Sequence, residues 1–144
     1  MILDQFKLTD KVAIVTGGGR GIGRGIALGF AEAGAHVASA ARRVETLEEV
    51  AGEIRAMGRR ALAVPCDVTV SAQLDELVAA TVSEFEGVDL LVNNAGGTPP
   101  APVLQLTDEA FEAAIHFNVT SALHLSRQVI PHMLKRKDGA ILNI

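Results

Sequence analysis

The sequence predicts an α/β domain built on a doubly wound parallel sheet, and three observations predict it. Short apolar, β-branched runs alternate along the chain with longer amphipathic stretches of helical period. The apolar runs do not alternate in polarity, which suits strands buried on both faces. A glycine-rich turn lies where the first apolar run gives way to the first helical stretch.

Taken in order, "KVAIVT" (11–16) is the first strand and "GGGRGIG" follows it. Ile22, Ile26 and Phe30 then recur at helical spacing, and Gly34 ends that helix as a left-handed cap. "AHVASAA" (35–41) is the second strand. Val44, Leu47, Val50, Ile54 and Met57 share one face of a helix over 44–57, with Glu45, Glu48, Glu49 and Glu53 largely off it and Gly58 closing it. "ALAVPC" (61–66) is the third strand. Ser71 is expected to cap the next helix, whose apolar positions are Leu74, Leu77, Val78, Val82 and Phe85, with Gly87 after it. "VDLLVN" (88–93) is the fourth strand.

Beyond the loop "NAGGTPPAP", one long helix is expected from about Thr107 to Arg136. Asp108 and Glu109 lie in its first turn, where anions oppose the dipole, and "KRK" (135–137) supplies cations at its end. Pro131 should kink it or loosen its last turn. "GAILNI" (139–144) is the fifth strand. Five strands alternating with four helices make residues 1–144 a single domain, without repeat or linker.

Composition narrows the function classes. With 13 basic and 17 acidic residues the net charge is −4, and no basic stripe invites a nucleic-acid backbone. Asp4, Lys7 and Asp10 leave no apolar core at the N-terminus for a signal peptide. No apolar run approaches the ~18 residues a membrane span needs. The cytoplasm is the expected compartment. Cys66 is the only cysteine, so it makes no internal disulfide and is read as a small packed hydrophobe. His116, His124 and His132 are eight apart, which turns each about 80° from the last around a helix, so no metal site is expected.

"TGGGRGIG" (16–23) carries the chemistry. Glycines at a strand end let the backbone turn tightly and let a diphosphate approach without a Cβ in the way. The helix start, with Ile22 in its first turn, then offers free N–H groups to the anion. No Gly-Lys-Ser/Thr follows, and Arg24 comes after Gly23, so this is not a nucleoside-triphosphate loop.

The spacing of Gly17, Gly21 and Gly23 resembles the short-chain dehydrogenase/reductase family. "CDVT" (66–69), "NNAG" (93–96) and "FNVTSALHLS" (117–126) follow in the family's order and span the chain. The resemblance implies a Rossmann-type sheet of strand order 3-2-1-4-5, here truncated before strands 6 and 7. It implies hydride transfer between a nicotinamide cofactor and a carbonyl or alcohol substrate, and a dimer or tetramer formed through the long helix 107–136. Both acyl-carrier ketoreductases and hydroxysteroid dehydrogenases are similar, and the motifs choose neither.

The second strand ends on Ala41, where the family's NAD binders place an aspartate for the ribose hydroxyls, and Arg42 and Arg43 follow. A guanidinium grips a 2′-phosphate with paired hydrogen bonds. Arg20, inside the glycine loop, adds positive charge of the sort seen in NADP-preferring members. The expected cofactor is therefore NADP(H), with NAD the alternative, although Arg43 could instead pair with nearby glutamates. By resemblance Asp67 should bond the adenine amino group and Val68 should line its ring. Asn94, Ala95 and Gly96 should pass close to the cofactor ribose, while Asn93 ties neighbouring strands.

Of the family's four catalytic residues, only the helix asparagine has a counterpart, Asn118. The serine belongs just after "GAILNI", the Tyr-x-x-x-Lys pair comes later, and the chain contains no tyrosine. The expectation is an N-terminal half that binds NADP(H), lacks turnover by itself and exposes its fifth strand as an associating edge. The alternative is a non-catalytic dinucleotide-binding module.

Overall fold

The computed structural model describes all 144 residues. Five strands form one parallel sheet in the order β3-β2-β1-β4-β5. They are β1 (Val12–Thr16), β2 (His36–Ala41), β3 (Ala61–Pro65), β4 (Leu90–Asn93) and β5 (Ala140–Asn143). This is the order implied by the sequence resemblance. The helices are α1 (Gly21–Glu32), α2 (Val44–Ala56), α3 (Ser71–Phe85), α4 (Asp108–Ile115) and α5 (Ser121–Arg136).

Strand parity divides the interior into two cores. Val12, Ile14, Ala38, Ala40 and Leu91 face α3 and α5, where they meet Leu74, Leu77, Leu125 and Val129. Val15, Val37 and Val92 face α1 and α2, where they meet Ala27, Ala31, Val50 and Ile54. Because both faces are covered, β1 reads as an unbroken buried run rather than an alternating one. All five strands run the same way, so the loops after β1, β2, β3 and β4 gather at one end of the sheet. That end is where open α/β sheets bind ligands.

Several boundaries differ from the sequence expectation. Ser71 is the first residue of α3, not its cap, and Val70 in the cap position makes no side-chain bond. The polar groups before the helix are satisfied by Asp67, which accepts from the Thr69 amide and hydroxyl, and by Gln73, whose Oε1 accepts from the Asp67 amide. The left-handed residue ending α3 is Glu86 (φ 66°), one place before Gly87. Gly87 is glycine for a different reason: the Arg136 guanidinium occupies the space a Cβ would need.

The long helix is not uniformly α-helical. A π turn at His116–Thr120 separates α4 from α5, with helical angles carried across both junctions. Thr107 caps the start by accepting from the Ala110 amide at 3.2 Å, and α5 continues past Pro131 to Arg136. Arg136 does more than face the helix dipole. It donates to buried Asp89 at 2.6 Å, and the same carboxylate oxygen accepts the Val12 amide at 2.8 Å. Short 3₁₀ turns at Ile2–Phe6 and Val103–Gln105 carry no periodic apolar signal in the sequence.

Candidate dinucleotide-binding site

β1 delivers the chain into the glycine loop at the loop-rich end of the sheet. Gly17 (φ 63°) and Gly21 (φ 54°) are left-handed, which glycine adopts without a Cβ penalty. The Gly17 amide donates to the Ala40 carbonyl at 2.7 Å, pinning the turn to β2. A Cβ on Gly23 would meet the Gly17 carbonyl and lie 2.6 Å from Asn94 Nδ2. The amides of Gly19, Arg20, Gly21, Ile22 and Gly23 have no acceptor within the chain, and no side chain caps α1. Five unspent donors at the positive end of a helix dipole fit a diphosphate.

The loop after β4 is stitched to this turn. The Thr16 hydroxyl accepts from the Asn94 amide at 3.0 Å and the Ala95 amide at 2.9 Å, and donates to the Val92 carbonyl at 3.3 Å. Asn94 Nδ2 donates to the carbonyls of Thr16 (3.1 Å) and Gly17 (3.4 Å). Asn93 bonds Asn143 across β4 and β5 at 2.9 Å, the strand-tying role expected of it. The Thr16 bonds were not foreseen. The available signal was a hydroxyl placed where a strand enters a glycine turn.

Asn118 lies in the π turn. Its Oδ1 accepts the Gly97 amide at 2.8 Å, and its Nδ2 donates to the Gly97 carbonyl at 3.0 Å and the Ala114 carbonyl at 2.8 Å. The side chain thus pairs with Gly97 as a neighbouring strand would. A Cβ on Gly96 would lie 2.5 Å from Asn118 Oδ1, so the turn must stay small there. Asn118 therefore holds the loop against the helix.

At the adenosine end, the Thr69 hydroxyl and then the Thr69 amide hold the Asp67 carboxyl below its ordinary pKa, with nearby Arg42 adding attraction against some burial cost. Both Thr69 bonds fall on Oδ1, so Oδ2 stays available to a ligand N–H. Val68 packs into the core, and its amide has no acceptor. Arg20, Arg42 and Arg43 are exposed and none forms an ion pair. The nearby glutamates Glu53 and Glu48 pair with Arg24 and Arg55 instead, so the pairing considered for Arg43 is not seen.

A model of the family described as short chain dehydrogenase matches residues 11–144. The chain belongs to the short-chain dehydrogenase family. It is 44% identical over 145 residues to an oxidoreductase of Mycobacterium tuberculosis, covering 100% of this chain and 55% of that one. It is 42% identical over 142 residues to the 7α-hydroxysteroid dehydrogenase of Escherichia coli, covering 98% and 55%. Among solved structures, the L-sorbose reductase of Gluconobacter frateurii in complex with NADPH and L-sorbose aligns at TM-score 0.90 with 38% identity, covering 94% of this chain and 52% of that one. The chain thus spans about half the length of these relatives.

Other reactive side chains of this short-chain dehydrogenase chain are spent on the fold. His116 Nε2 lies 2.9 Å from the Thr69 carbonyl, and His124 Nε2 lies 3.1 Å from Asp75. No three histidine, cysteine or acidic side chains come together. Burial, with smaller contributions from Asp67 and Glu76, pushes the Cys66 thiol up to about 11, so it behaves as a packed apolar group. No helix is long and apolar enough to cross a membrane.

Proposed function

We propose that this chain is the nucleotide-binding part of an NADP(H)-dependent oxidoreductase acting on a carbonyl or alcohol. The observation that carries the NADP(H) assignment is the set of three unpaired guanidinium groups, Arg20, Arg42 and Arg43, around a second strand that ends on Ala41 rather than an acid. A carboxylate there would repel a 2′-phosphate, whereas a guanidinium offers it charge-assisted bonds. One of the family's solved structures holds NADPH and another, a 7α-hydroxysteroid dehydrogenase, holds NADH, so the choice rests on these side chains.

When bound, the nicotinamide supplies the hydride chemistry. The chain's own groups bind and orient. The amides from Gly19 to Gly23 hold the diphosphate, the arginines hold the adenosine phosphate, and Asp67 with the Val68 amide reads the adenine edge. Thr16, Asn94 and Asn118 fix the wall from Ala95 to Gly97 beside the ribose. The chain has no tyrosine and so cannot itself supply the family's phenolic proton donor. Residues 1–144 by themselves should bind cofactor without turnover.

Phe111, Ile115, Val119 and Leu123 are about half exposed and spaced by four along α4, the π turn and α5. That apolar stripe supports a second copy docking on the long helix.

Titrating NADPH and NADH tests the assignment. NADPH should bind at least about tenfold more tightly, the worth of one charge-assisted bond. Arg42→Asp should reverse the preference. An unchanged ratio would remove Arg42 from the phosphate site.

A further inference from the structure

We propose that Thr46 is a positioning residue that sets the gap of the phosphate clamp, holding Arg20 on one rim against Arg42 and Arg43 on the other. The inference rests on the NADP(H) reading above. It begins with a glycine that the backbone does not explain. Gly19 is not among the left-handed residues, so its φ alone would accept a side chain. What excludes one is Thr46: its hydroxyl oxygen occupies the space a Cβ on Gly19 would need, with Thr46 Cβ at 3.1 Å and Leu47 Cδ2 at 3.6 Å from that position.

The same hydroxyl donates to the Arg43 carbonyl at 3.1 Å. One side chain in the first turn of α2 therefore touches both halves of the clamp. On one side it meets the residue directly before Arg20; on the other it is bonded to Arg43, the residue that precedes α2. The hydrogen bond aims the hydroxyl, and the aimed hydroxyl fixes how closely the glycine loop approaches the α2 start.

The helix pair itself does not depend on this contact. Arg24 and Glu53 join α1 and α2 farther along, through two bonds of 2.7 and 2.8 Å from one guanidinium nitrogen. Ala27, Ala31, Val50 and Ile54 pack between the helices and the sheet. Losing the Thr46 hydroxyl should alter the rim and leave the packing. Of the five diphosphate amides only that of Gly19 adjoins Thr46, while those of Gly21, Ile22 and Gly23 belong to the first turn of α1. The effect should thus fall on the adenosine phosphate, which only NADP(H) carries.

The test uses the full chain and compares Thr46→Val, which keeps the branched shape without the O–H, with Thr46→Ser, which keeps the hydroxyl. Thr46→Val should raise the NADPH dissociation constant about tenfold, leave that for NADH within about twofold and leave the melting temperature unchanged. Thr46→Ser should retain the wild-type ratio. Equal weakening of both nucleotides, no change with either, or loss of the ratio in the serine variant would overturn the inference. Failure of the underlying cofactor reading appears separately, as a wild-type chain that binds NADH as tightly as NADPH.

Discussion

Ser39 sits on β2 below the glycine loop, and its hydroxyl is the one buried side-chain polar atom without a hydrogen-bond partner. A Cβ on Gly18 would come within 2.9 Å of Ser39 Cβ, so the site is closed from above. An unsatisfied buried hydroxyl costs about 1–3 kcal/mol, whereas a methyl group there costs nothing in hydrogen bonds. Ser39→Ala should therefore raise the melting temperature by about 2–4 °C per kcal/mol recovered, read by thermal denaturation. A lower melting temperature would show that the hydroxyl has a partner. At this scale the sequence was legible wherever a residue acts next to itself in the chain. Gly17 and Gly21 are set by the left-handed backbone of the turn itself, a local demand. Thr16 with Ala95, Asn118 with Gly97, and Arg136 with Asp89 are 79, 21 and 47 residues apart, and no periodicity announces such pairs.

Elements were legible from their periods and less so at their ends. Leu74, Leu77, Val78 and Phe85 announce α3 because burial on one face imposes a helical repeat. Its start was misplaced by one residue because Val70 holds the cap position without a side-chain bond, and Glu86 takes the left-handed conformation that glycine usually supplies. The junction of β2 and β3 shows what such end contacts control. His36 opens β2, its Nδ1 accepts the Arg60 amide at 3.1 Å, and its ring stacks on Phe85 with centroids 5.9 Å apart. Burial, then Arg60 and Arg59, lowers its pKa below the ordinary 6.5, while Asp10 opposes them. The folded chain therefore binds fewer protons here than the unfolded chain. The stability contributed is fully present above 6.5 and is lost as pH falls below it toward the folded pKa. Protonation would also put a donor where Nδ1 accepts. Urea midpoints should fall between pH 7 and about 5.5, and His36→Gln should lose less over that interval. Parallel pH profiles for both chains would exclude His36 as the source.

Over the whole molecule, the alternation of strand and helix was enough to predict the layers, because a parallel sheet must be covered on both faces. The strand order came from the motifs and agrees with the observed sheet. The edges differ in what covers them. β3 ends at Pro65, which cannot donate to a further strand, and Ala61 at its start packs against the α1–α2 core. β5 is barely covered: Leu142 is 41% exposed and Ile144 just after the strand 65%, while no residue of β1 exceeds 2%. Beside it, Ile130 and Leu134 of α5 are also exposed, and with Met133 and Ile141 they line an open apolar groove. An unpaired apolar strand next to an apolar groove is a template for a further strand. Residues 1–144 produced alone should therefore self-associate, with a sedimentation coefficient that rises with concentration. Leu142→Lys places a charge on that edge and should return the population toward monomer, whereas a charge on the long helix, Val119→Lys, should leave edge association in place. A monomer at every concentration would show that β5 is protected. Reversal by Val119→Lys but not by Leu142→Lys would move the association to the α4–α5 stripe.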